Sequence, residues 1–142
     1  MTRSTLDHLF VHVTDLAASY EFYVKRLGLT ALMEEPGYLR VGSLDHGFYM
    51  GMEERHGDHV GSVGIEIVIH VPDVDRLSRE LVAAGIVVIG PDDQAWGARH
   101  AWTHDPSAYR ISTFSPIAEP AEPAEPAEPA RGACTRRYPG HA

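Results

Sequence analysis

The sequence predicts an α+β fold built from two tandem βαβββ modules, and three observations carry that prediction. The stretch 6–28, LDHLFVHVTDLAASYEFYVKRLG, returns in a second version near position 64. Each copy reads as an alternating strand, an Asp turn, an amphipathic helix and a closing Gly. The spacing is also kept, with thirteen residues from Asp15 to Gly28 and twelve from Asp73 to Gly85. Aligned on the two Asp residues, His8 falls on Glu66, Phe10 on Val68, and His12 on His70.

In the first module, alternation over 6–13 puts Leu9, Val11 and Val13 on one strand face and His8, Phe10 and His12 on the other. The aliphatic face is expected to pack under the helix, and the mixed face has the character of a cavity lining. Asp15 supplies a carboxylate N-cap. Leu16, Tyr20, Tyr23, Val24 and Leu27 then recur at helical spacing, and Gly28 suits a left-handed stop. Strands are predicted over 29–34, 38–42 and 47–53, separated by Pro36-Gly37 and Asp45-His46-Gly47. The Gly-rich stretch 54–63 reads as the linker.

The second module repeats the plan. A strand over 64–71 leads to Asp73, which caps a helix carrying Val74, Leu77, Leu81 and Ala84 and stopped by Gly85. Residues 86–89 form a short apolar strand ended by Gly90-Pro91-Asp92-Asp93. Strands over 99–103 and 109–114 then make a hairpin around Asp105-Pro106-Ser107-Ala108. Module one spans about 6–53 and module two about 64–115, within a domain of residues 1–117. From 118 to 142 the chain is an Ala-Glu-Pro repeat followed by RGACTRRYPGHA, which reads as a disordered charged spacer with a basic end. Its sharper reading is a docking peptide for a partner.

At 142 residues the chain can bury one ordinary core. No apolar run is long enough for a membrane span and no signal region opens the sequence, so a soluble cytoplasmic protein is expected. The single Cys134 excludes an internal disulfide framework. A net charge of −8 argues against nucleic acid as a partner and suits a cationic ligand, or serves solubility alone. There is no Ser-His-Asp arrangement, phosphate loop or nucleotide fingerprint.

The tandem plan resembles the vicinal oxygen chelate superfamily, which includes glyoxalase I, extradiol dioxygenases, fosfomycin-resistance enzymes and bleomycin-resistance proteins. Asp15-Leu16 through Phe22-Tyr23 to Leu27-Gly28-Leu29 is similar to the first-module signature. Val71-Pro72-Asp73-Val74-Asp75 resembles the second-module opening, and Trp96-Gly97-Ala98-Arg99 with Asp105-Pro106 resembles a hairpin of the antibiotic-binding branch. The resemblance implies two curved mixed sheets around a cavity and a homodimer. It leaves open whether modules pair within one chain or across two.

The resemblance also implies metal-ligand positions on the first and last strand of each module. His8 and Glu66 occupy the opening positions. At the closing positions stand Gly51, which has no ligand atom, and Ser112, a neutral hydroxyl where a carboxylate is usual. Glu53, His12 and His70 lie on the same faces as possible substitutes. No cofactor is therefore expected, with one divalent ion held through His8 and Glu66 as the alternative. The expected ligand-binding set is His8, Phe10, His12, Tyr49, Glu53, Glu66, Val68, His70, Trp96, Trp102, Arg110, Ser112 and Phe114, with Glu53 and Glu66 balancing Arg110. Such an aromatic, mildly polar lining suits a planar ligand. The leading expectation is a non-metal small-molecule-binding protein of the bleomycin-resistance type, conferring antibiotic resistance by sequestration or carriage. The alternative is a metal-dependent glyoxalase-like lyase, isomerase or thiol transferase using His8 and Glu66.

Overall fold

A computed structural model of the protein describes residues 3–56, 61 and 64–117. The Ala-Glu-Pro repeat, Cys134 and part of the expected linker lie outside the described residues. The order is β1 (His8–Val13), α1 (Leu16–Tyr20) continuing into a π-helical turn (Glu21–Arg26), β2 (Thr30–Glu35), β3 (Tyr38–Gly42) and β4 (Tyr49–Glu54). Then follow β5 (Glu66–His70), α2 (Val74–Ala83), β6 (Ile89–Asp93), β7 (Ala98–His104) and β8 (Arg110–Pro116). The strands form two four-stranded mixed sheets, ordered β1-β4-β3-β2 and β5-β8-β7-β6. In each sheet the first strand runs parallel to the last, and the remaining pairings are antiparallel. This is the expected α+β architecture of two βαβββ modules.

Local chemistry explains the element boundaries. Asp15 Oδ1 accepts from the Ala18 amide at 3.0 Å, and Asp73 Oδ1 accepts from the Arg76 amide at 3.0 Å. Both carboxylates thus satisfy a helix-end donor. The first helix departs from the expected uniform α-helix over its second half, where Leu27 N–H donates to the Phe22 carbonyl at 2.9 Å. A π turn is wider than an α turn, and here Phe22 and Tyr23, adjacent in sequence, are both buried. Their rings meet edge to face at 5.0 Å.

The aliphatic strand faces lie under the helices, as alternation predicts. Val11 and Val13 of β1, Leu39 and Val41 of β3, and Met50 and Met52 of β4 are buried with Phe22, Tyr23 and Leu27. Ile69, Val71 and Ile111 are buried in the same way with Val74, Leu77 and Leu81. Each such side chain contributes about 1.5–3 kcal/mol on burial. The sixth strand differs from the reading of 86–89 with a stop at Gly90-Pro91-Asp92-Asp93. It is Ile89–Asp93, pairing Ile89 with Trp102, Asp92 with His100 and Asp93 with Arg99 across an irregularity in register. As an edge strand it tolerates Pro91, which falls within the register irregularity between Ile89 and Asp92. The strand expected over 99–103 is one residue longer at each end, running from Ala98 to His104 as β7.

The two modules are joined at one buried carboxylate. Asp105, only 5% exposed, accepts from the Tyr23 hydroxyl at 2.5 Å through Oδ2. Its Oδ1 accepts from the amides of Ser107 at 2.9 Å and Tyr109 at 2.8 Å. The turn so held reaches back to the first module twice. Thr14 N–H donates to Ser107 Oγ at 3.0 Å, and the Tyr109 hydroxyl donates to the His12 carbonyl at 2.9 Å. Burial raises the Asp105 pKa above the usual carboxylate value, and the Tyr23 hydrogen bond is the largest effect opposing the rise. Burial, and then Asp105, push the Tyr23 phenol upward, so it stays protonated and keeps donating.

This arrangement fixes the sign of a pH effect. A carboxyl whose folded pKa is raised contributes stability that is complete below its unfolded pKa and is lost as pH rises through the folded value. Tyr23→Phe removes the strongest opposing hydrogen bond and leaves Oδ2 buried without a partner. It is expected to destabilise the fold by about 1–3 kcal/mol at pH 7 and by less at pH 4. Urea unfolding of both proteins at the two pH values measures this, and equal losses at both would refute the assignment.

Candidate functional site

The faces turned away from the helices carry the rings. On the first sheet, register places His8 beside Tyr49, Phe10 beside Gly51 and His12 beside Glu53. The antiparallel neighbour adds Arg40 beside Gly51 and Tyr38 beside Glu53. His8 stacks on Tyr49 with centroids 4.7 Å apart and planes 4° from parallel, and its Nδ1 lies 2.6 Å from Asp7 Oδ2. The Arg40 guanidinium lies over the same Tyr49 ring at 4.2 Å, with its Nε donating to the Tyr38 hydroxyl at 3.3 Å. Gly51 makes room for this group, because a Cβ there would stand 2.8 Å from the Tyr38 hydroxyl and 3.3 Å from Phe10. Arg55 Nη1 lies 3.4 Å from His12 Nε2. A guanidinium only donates, so Nε2 is the acceptor in this contact, and Nδ1 is buried without a partner among the described residues.

The second sheet repeats the layout with other chemistry. Register places Glu66 beside Arg110, Val68 beside Ser112 and His70 beside Phe114. Strand β7 adds His100 beside Phe114 and Trp102 beside Ser112. Ser112 Oγ donates to Glu66 Oε1, and Arg110 Nε lies 3.3 Å from that oxygen without the alignment of a hydrogen bond. The Arg110 guanidinium also lies 4.2 Å over the Trp102 ring. Trp96 reaches this face through edge contacts with His100 at 6.4 Å and Phe114 at 6.1 Å. Burial holds the His100 imidazole below its usual pKa, with Arg110 acting in the same direction and Glu66 and Asp92 opposing. His100 is therefore neutral at pH 7.

The thirteen residues named from sequence thus fall into two groups. His8, Phe10, His12, Tyr49 and Glu53 share the first face, and the other eight share the second. Glu66 rather than Glu53 is the carboxylate beside Arg110. Sequence reasoning missed Tyr38, Arg40 and His100, although alternation along β3 held the signal. Leu39 and Val41 are core residues, which turns Tyr38 and Arg40 to the ring-bearing side.

Both faces are open. Phe10, Val68 and Trp96 are 43%, 50% and 47% exposed. Two grooves of about 330 Å³ adjoin these faces, sharing Tyr38 with the first and Trp102 with the second. One runs between α1 and the β2–β3 turn, and the other is lined by Ile86, Val87, Ile89, Trp102, Thr103 and His104.

The residues at the family-type ligand positions do not fit a divalent ion. Glu66 is spent on Ser112 and lies beside a guanidinium that repels a cation. A ligating side chain at position 51 would collide with Tyr38. Among the described residues, no three His, Cys, Asp or Glu side chains come together to hold a metal. No helix among them is long and apolar enough to cross a membrane.

Comparison with known proteins agrees with this architecture. The profile of the Glyoxalase/Bleomycin resistance protein/Dioxygenase superfamily matches residues 5–113. An uncharacterized protein of Mycobacterium bovis is 30% identical over an alignment of 124 positions, covering 75% of this chain and 80% of that one. The solved structure of TnmS3, an antibiotic binding protein from Streptomyces sp. CB03234, has 24% identity and a TM-score of 0.68 over 82% of this chain and 99% of that one. A glyoxalase/bleomycin resistance protein from the same Streptomyces has 25% identity and a TM-score of 0.62 over 78% of this chain and 100% of that one. With two βαβββ modules in tandem and a profile match across both, the chain belongs to the Glyoxalase/Bleomycin resistance protein/Dioxygenase superfamily.

Proposed function

We propose that the protein binds an aromatic or peptide-like natural product, antibiotics included, and confers resistance by sequestering or carrying it in the cytoplasm. It does so by equilibrium binding, with no metal and no covalent step. The observation that carries this reading is the open ring surface of the two sheets, on which Phe10, Val68 and Trp96 each stand 43% or more exposed. A flat ligand laid on such rings removes apolar area from water and gains offset or edge-on ring contacts. Glu66, Ser112, Arg110 and neutral His100 supply the few polar groups that orient a ligand on an aromatic wall. The antibiotic binding protein of the same fold points to the ligand class. A metal-dependent lyase, isomerase or thiol transferase acting through His8 and Glu66 has less support, because Arg110 already answers the Glu66 charge.

The working unit is a homodimer. Strands β1, β2, β5 and β6 are sheet edges among the described residues, and Leu32, Met33, Phe48 and Ile89 are further exposed apolar side chains. A second copy covers both kinds of surface at once. Sedimentation velocity is expected to give twice the 15.6 kDa chain mass. A single monomeric species at tens of micromolar overturns the dimer.

Titration with an anthracycline, a tetracycline and bleomycin tests the ligand class. At least one is expected to quench the emission of Trp96 and Trp102. Trp96→Ala then weakens that binding by about five- to thirtyfold, the equivalent of one lost ring contact of roughly 1–2 kcal/mol. Unchanged emission with all three, together with near-stoichiometric divalent metal surviving dialysis, points to the enzyme instead.

A further inference from the structure

Three arginines among the described residues are half-buried, and they differ in what answers their charge. Arg99 is held by Asp75 at 2.8 Å and Asp93 at 3.0 Å. Arg110 lies 3.3 Å from Glu66. Arg40 has no carboxylate partner among the described residues. Its Nε is spent on the Tyr38 hydroxyl, its plane lies over Tyr49, and its terminal amino groups have no hydrogen-bond partner among the described residues. The acid that acts on it, Asp7, has its carboxylate against the His8 ring.

The two sheets make the contrast sharper. By register, Arg40 and Tyr49 of the first sheet correspond to Trp102 and Arg110 of the second. Each face therefore carries one arginine on one aromatic ring, with the two partners exchanged between strands. On the second face the acid that completes the group is Glu66. On the first face its counterpart is His8, which supplies no negative charge. A half-buried guanidinium with two free N–H pairs is suited to a planar, bidentate anion. Flanking it are Phe10, 43% exposed, and Tyr38, whose rings are 18° from parallel.

We propose that the first sheet's ring-bearing face is a subsite for a planar aromatic acid. The ligand's carboxylate is taken by the Arg40 guanidinium and its ring lies against Phe10 and Tyr38. This deepens the reading of the protein as an aromatic binder and rests on it. It also reverses, at this face, the expectation of a cationic ligand drawn from the net charge of −8. The local cation decides here, because the acidic residues of the chain are spread over both modules and the tail while Arg40 touches the ligand.

The test uses the full-length chain with 2-naphthoate and its neutral isostere 2-naphthamide, followed by naphthalene fluorescence polarisation. The acid is expected to bind about tenfold more tightly than the amide, the size of one charge-assisted pair in a partly exposed site. Arg40→Gln abolishes the preference while keeping amide binding, and Arg40→Lys keeps only part of it. Arg76→Gln removes the same charge from an exposed site on α2 and leaves the preference intact. Equal binding of acid and amide by the parent protein overturns the proposal and leaves the aromatic reading standing, as does a preference that survives Arg40→Gln. If neither compound binds, the aromatic reading falls and the subsite falls with it.

Discussion

The structure depends on taking one carboxylate out of water and satisfying it completely. Asp105 receives three hydrogen bonds, two from its own turn and one from the first module's helix. A buried carboxylate without partners costs several kcal/mol, so the Tyr23 hydroxyl and the 105–109 turn cannot separate cheaply. That requirement fixes the position of the second module's hairpin relative to the first helix. The hairpin in turn delivers the Tyr109 hydroxyl to the His12 carbonyl and the Ser107 hydroxyl to the Thr14 amide. These contacts lie at the end of β1, the strand whose other face presents His8, Phe10 and His12.

From that junction the division of labour within each strand follows. Val11, Val13, Leu39, Val41, Met50 and Met52 on the helix side of β1, β3 and β4 are buried, while the alternates other than the glycines are rings or charged groups left half-buried or exposed. The π-helical turn serves the same end, because it commits Phe22 and Tyr23 together to the core side. Tyr23 then has a second duty at Asp105 that an ordinary helical stripe residue would not perform. The two modules share a backbone plan and diverge on the open face, where Glu66 replaces His8 and Arg110 replaces Tyr49.

How much of this was legible in the sequence depends on the range of the physics. Period-two alternation around 6–13 and 64–71 was enough to assign both faces of β1 and β5, and the Asp caps with Gly28 and Gly85 bounded both helices. Tyr23 and Asp105 were each visible as parts of separate motifs, but nothing local says that they meet across 82 positions. The sixth strand was misplaced because Gly90-Pro91 normally ends a strand, and only an edge position lets it continue. Arg40 lies on β3, outside the first and last strand of each module, where no motif marks it. Its importance appears only once cross-strand register sets it beside Gly51 and over Tyr49. Glu53 and Glu66 are both set against Arg110 by charge alone, whereas register brings Glu66 to it and leaves Glu53 on the other sheet.

The same register ties the ligand-type positions of each sheet to their neighbours. Glycine at 51 is what lets the Tyr38 ring cross the strand and hold Arg40. Restoring a metal ligand there would displace the tyrosine and release the guanidinium. On the other sheet, Ser112 and Arg110 together occupy the Glu66 carboxylate, so recovering a carboxylate at 112 would set two acids side by side with one arginine between them. Each face has become self-consistent around an arginine on an aromatic ring. A carboxylate or imidazole placed at 51 or 112 would have to break these arrangements.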